Sequence, residues 1–114
     1  MFSGCTGLTT APDLPATTLR GGCYKNMFYE CTNLTIAPVL PAAYLPPNSY
    51  ESMFVNCRSL NSVICLATDY EEYSAIGYML TGAGTNGILK RAPGVSWWTN
   101  YLPSTWTVED YVAP

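Results

Sequence analysis

Apolar residues along this chain fall into columns that recur at a fixed interval. Met1, Met27 and Met53 open three successive copies, which sets the period at 26. They are followed in step by Phe2, Phe28 and Phe54, by Cys5, Cys31 and Cys57, by Leu8, Leu34 and Leu60, and by Leu14, Leu40 and Leu66. The first two copies share thirteen of 26 positions. Within a copy, "GLTTAPDL" and "NLTIAPVL" read as short extended segments ended by proline, which donates no ladder hydrogen bond. In "CYKNMFYEC", Tyr24, Met27, Phe28 and Cys31 stand at offsets of three and four, the spacing of one helix face. That stretch and its counterpart "SYESMFVNC" therefore predict one or two helical turns feeding the next strand. "LPATTLRGG" and "LPAAYLPPN" form the connecting bends.

A period of this size, with leucines set by spacing and a cysteine at one fixed place, predicts an α/β leucine-rich repeat solenoid. Short strands and short helical turns would alternate, and like side chains would stack one coil apart at about 4.8 Å. Residues 1–77 make the array of about three coils, incomplete at its N-terminal side. Beyond Leu66 the third copy drifts, with Tyr70 set against Tyr44, and a weak fourth echo begins at "YMLTG", residues 78–82. Residues 78–114 then form a C-terminal capping segment, in which "GAGTNG" (82–87) bends a hairpin and "GILKRA" returns as a strand. Because Met1 and Phe2 fall in mid-unit, the spacing further predicts one of two things. Either the chain is the C-terminal piece of a longer protein, or its open first coil associates end to end with another copy.

Composition narrows the class. Hydrophobic residues make up 48% of the chain and charged ones 11%, which sets it apart from disordered sequences. The nine prolines and nine glycines interrupt any long helix, and no apolar run approaches the roughly 20 residues of a membrane span. Membrane insertion is not expected. The net charge is −3, and Arg20, Lys25, Arg58, Lys90 and Arg91 form no patch larger than one pair, so nucleic acid is not an expected partner.

The absence of histidine removes the usual general base, the commonest metal ligand and the histidine-activated nucleophiles, so no enzymatic activity is expected and no residue is given a catalytic role. Cys5, Cys31 and Cys57 lie one per copy, Cys23 and Cys65 stand in other columns, and no C-x-x-C pair occurs. The column of Cys5, Cys31 and Cys57 reads as buried reduced thiols that fill space, not as a metal or redox site, and no cofactor or metal is assigned. Asp69, Glu71 and Glu72 form the one acidic cluster, read as a solvated turn before a weak calcium site. "GAGTNG" lacks the lysine and hydroxyl of a phosphate-cradling loop. Trp97, Trp98, Tyr101 and Trp106 pull two ways: such rings stack on sugars or anchor proteins, and they equally well cover the apolar end of a repeat array.

The unit "MFxxCxxLTxAPxLPAxxLxxxxYxx", spanning about residues 1–68, resembles the BspA-like leucine-rich repeats of bacterial surface proteins, with an aromatic residue, a cysteine and a leucine at three-residue steps. "WWTNYLPSTWTV" is similar to an ending found after such repeats. The chain departs from the family in using "APxLPA" where an isoleucine-rich strand is usual, and in having few repeats. The resemblance implies a place on the exterior of a bacterium and a role in adhesion or host contact. The expected function is a non-enzymatic recognition module that binds a protein or a glycan. The alternative is a structural spacer or tip domain of a longer fibre or phage appendage.

Overall fold

The structure, a computed structural model, describes residues 2–11, 14, 17–70, 75–95, 97–100 and 102–112. The segment that carries Tyr24, Met27, Phe28 and Cys31 does not wind into a helix. The N–H groups of Cys23, Lys25, Met27, Tyr29 and Cys31 each reach back three residues, to the carbonyls of Arg20, Gly22, Tyr24, Asn26 and Phe28. The intervening N–H groups of Gly22, Tyr24, Asn26, Phe28 and Glu30 turn away and donate to Pro47, Ser49, Glu51, Met53 and Val55 in the next copy. An α-helix sends every N–H back four residues along its own turn. Here positive φ at Gly22 (72°), Asn26 (56°) and Glu30 (58°) interrupts that pattern every fourth residue. The same left-handed residues return at Asn48, Ser52 and Asn56 and again at Tyr78 and Gly82. Glycine and asparagine adopt this conformation at least cost, which explains much of this series.

The extended parts pair in parallel throughout. Among the described residues six short strands form: β1 (Val39–Leu40), β2 (Tyr44–Leu45), β3 (Ser62–Cys65), β4 (Asp69–Tyr70), β5 (Ile88–Arg91) and β6 (Thr107–Asp110). Four make one sheet in the order β1-β3-β5-β6, and β2 and β4 make a second. An isolated parallel bridge joins Thr10 to Ile36. Regular helix among the described residues is confined to a 3-10 turn at Trp97–Asn100 and 3-10 backbone at Ala75.

The expected α/β leucine-rich repeat solenoid with a hairpin cap is therefore corrected. The protein is a compact globule whose described residues form six short strands in two parallel sheets, with almost no helix. Its principal extents of 34 × 28 × 27 Å are nearly equal, and its radius of gyration is 12.6 Å. The helical turns fail because alternate N–H groups find partners in the next copy, as Gly22 does at Pro47, and the hairpin fails because β5 runs parallel to β3.

Pairing also corrects the last apolar column. Thr10 meets Ile36 and Ser62 meets Ile88, which keeps the full period, but Val39 meets Ile64 and Leu40 meets Cys65, one position short of it. The third copy has lost one residue before the end of its strand. Because side chains alternate along a strand, that slip moves Cys65 to the buried place beside Leu40 and leaves Leu66 half-exposed. Tyr44 likewise lies beside Asp69, and Tyr70 beside Leu45.

The core runs between the turn segments and the sheets. Phe2, Phe28 and Phe54 stack face to face with centroids 5.5 and 5.6 Å apart and planes within 5°. Tyr24 and Tyr50 stack at 6.0 Å. Phe28, Phe54, Leu34, Leu40 and Leu60 are fully buried, whereas Phe2 and Leu8 are only partly so. Phe28→Ala should therefore cost about 3–5 kcal/mol, the range for removing a buried aromatic ring, and Phe2→Ala much less. Urea unfolding of the two variants checks this, and equal losses would count against the stack as described.

Candidate functional site

The thiols come first, because three of them occupy equivalent places. Cys31 Sγ donates to the Phe2 carbonyl at 2.9 Å, and Cys57 Sγ donates to the Phe28 carbonyl at the same distance. Each sulfur thus closes onto the preceding copy, and all five cysteines are free. Cys31, Cys57 and Cys65 are buried, but Cys5 and Cys23 are exposed, so the expected buried thiol column is corrected at Cys5. Burial pushes the Cys57 and Cys65 thiols up to about 12, against a backbone hydrogen bond that lowers each. It also raises Cys31 and the Tyr50 hydroxyl. A thiol held protonated in this way is a poor nucleophile and a poor metal ligand. No group of His, Cys, Asp or Glu suited to a metal ion occurs among the described residues.

The acidic turn contributes Asp69, which is exposed and accepts the Tyr70 N–H at 2.8 Å. Glu71 and Glu72 lie outside the described residues. The glycine-rich stretch serves the aromatic cluster. Trp106 Nε1 donates to the Gly84 carbonyl at 2.6 Å, and the indole lies against Gly87 so closely that a Cβ there would collide with the ring. A Cβ at Gly84 would strike the Leu60 carbonyl. Only glycine fits both seats.

The aromatic cluster is divided by burial. Trp98 and Trp106 are both buried, which leaves little of either ring open to a sugar. Trp97 is half-buried, 4.7 Å from the Trp98 ring and edge-on to Tyr70 at 4.8 Å. Tyr101 lies outside the described residues. Buried Ser49 Oγ, Tyr50 Oη and Trp98 Nε1 have no hydrogen-bond partner among the described residues.

What the surface does offer is three exposed apolar residues on or beside the strands: Ile36 at the Thr10 bridge, Val39 in β1 and Tyr44 in β2 of the second sheet. Ile36 is 57% exposed, Val39 44% and Tyr44 48%. Val39 heads a row that crosses the sheet through Ile64, Lys90 and Glu109, so the outer face passes from apolar to charged. Sequence reasoning did not single out Ile36 and Val39, because in a repeat they look like the variable neighbours of constant columns. Their signal was the alternation seen in β3, where Val63 and Cys65 are buried and Ser62 and Ile64 are not.

Two outcomes follow for the thiols. A chromogenic aryl disulfide should react rapidly with Cys5 and Cys23 and with the other three only after denaturation; fast reaction of all five would contradict the burial. Stability should also depend on alkaline pH. A thiol whose folded pKa lies above its ordinary value of 9.0 contributes stability fully below that pH and loses it as pH rises towards about 12. The urea midpoint should fall across that window, and a flat profile would rule the effect out. Compared with models of known protein families, with curated proteins and with solved structures, the chain matches none, so its resemblance to BspA-like repeats rests on the quoted residues alone.

Proposed function

We propose that the protein is a non-enzymatic recognition module that binds a protein partner through the outer side of its strands. The observation that carries this reading is the exposure of Ile36, Val39 and Tyr44 on a surface held rigid by parallel pairing. Large apolar residues left exposed so near in sequence, Ile36 and Val39 three apart, favour a protein partner. A glycan is the lesser ligand in this reading, because the indoles best suited to sugar stacking, Trp98 and Trp106, are buried.

A bacterial surface or secreted setting accompanies the proposal on the strength of the "MFxxCxxLTxAPxLPA" resemblance. The spacer reading is less favoured, since extents of 34 × 28 × 27 Å add little length to an assembly. End-to-end association through residues 2–8 is a secondary contact, supported by the partial exposure of Phe2 and Leu8.

The test is binding of the purified protein and of the Ile36→Lys/Val39→Lys variant to arrays of host extracellular proteins and glycans. The double variant should lose its protein ligands at least tenfold with an unchanged melting temperature, in keeping with the loss of a contact centre. Unchanged binding by the variant, or glycan ligands alone, would overturn the reading.

A further inference from the structure

The four-stranded sheet ends at β6, and β6 is matched to its one neighbour by both shape and charge. In the β5–β6 register Leu89 meets Val108, Lys90 meets Glu109 and Arg91 meets Asp110. An apolar pair is thus followed by two pairs of opposite charge, and Arg91 Nε binds Asp110 Oδ1 at 2.9 Å. Cross-strand pairs of these kinds stabilise a sheet.

The other side of β6 pairs with no strand among the described residues. Thr107 and Tyr111 donate their N–H groups inward, to Gly87 and Arg91. Alternation along the strand turns the N–H and C=O of Val108 and Asp110 the opposite way, where no described strand pairs with them. Such an edge is a template for one more strand. Beneath it the inner row Val63, Leu89, Val108 runs from buried to half-exposed and opens into a cleft of about 420 Å³. Leu102, Pro103, Trp106, Val108 and Arg91 line that cleft, which is large enough for one sizeable apolar side chain.

We propose that the outer edge of β6 is a strand-addition site for an extended basic peptide of the pattern apolar, Lys/Arg, Lys/Arg. Backbone hydrogen bonds to Val108 and Asp110 hold the peptide about 4.8 Å from β6. The apolar residue lies beside Val108 and fills the cleft. The first basic residue lies beside Glu109 and the second beside Asp110, repeating on the outer side what Lys90 and Arg91 do on the inner one. This surface is separate from Ile36 and Val39, so the proposal stands or falls apart from the function proposed above.

Fluorescence polarisation of a labelled ten-residue peptide centred on Ile-Leu-Lys-Arg tests it with the whole protein. Saturable binding is expected, weakened about fivefold or more by Glu109→Lys or by a peptide with Glu-Glu in place of Lys-Arg, and diminished by added salt. Val108→Pro removes an outward N–H and leaves the β5 ladder intact, so it should also weaken binding. If that variant fails to fold, Glu109→Lys alone decides, because Glu109 is exposed. Ile36→Lys/Val39→Lys should bind the peptide as the parent does. Absence of binding, indifference to Glu109→Lys, or equal binding of an oligolysine of the same length would overturn the proposal.

Discussion

Alternate backbone N–H groups that leave their own segment and bond to the next copy are the constraint on which this structure depends. A local turn satisfies only half of the donors between residues 20 and 31, and the other half need a second segment of the same conformation alongside. Buried donors left unpaired are costly, so each copy requires its neighbour. The left-handed residues at every fourth position make this possible, since they turn one donor in two towards the adjoining copy.

Side-chain packing follows from that backbone match. Once the carbonyls of one copy lie against the N–H groups of another, Phe28 must meet Phe2 and Phe54, and Tyr24 must meet Tyr50. The cysteines fit the same logic. A thiol is small enough to sit between stacked copies, and as a weak donor it reaches the carbonyl of the preceding phenylalanine. Function has to be sought elsewhere, because these groups are used up in holding copies together. The exposed strand residues and the open edge of β6 are what the packing leaves over.

At the C-terminal side the pattern is completed by different means. β6 follows β5 at a much shorter offset than the repeat, with Ile88 meeting Thr107, which breaks the period altogether. Trp106 brings bulk to this end, Gly87 makes room for its ring, and the Gly84 carbonyl accepts its indole N–H. The Arg91–Asp110 pair joins the two strands at their ends. Its partners are 26% and 52% exposed, so it directs register more than it adds stability.

The sequence by itself determined which phenylalanines and cysteines stand in equivalent places. The columns of phenylalanine, cysteine and leucine, the period that relates them and the absence of histidine are all legible in the string of letters. It did not determine what backbone would carry those columns. Apolar offsets of three and four suit a helix and a chain of hydrogen-bonded turns equally well. The choice was made by donors whose acceptors stand in the adjoining copy, with Gly22, Asn26, Asn48, Asn56 and Gly82 as a local hint. Tertiary structure likewise decided that Cys65 and not Leu66 lies beside Leu40, because one missing residue is invisible until strands are paired and then reverses every side chain that follows. It also decided which tryptophans are covered and which strand edge is open, since both depend on where the chain comes to rest against itself.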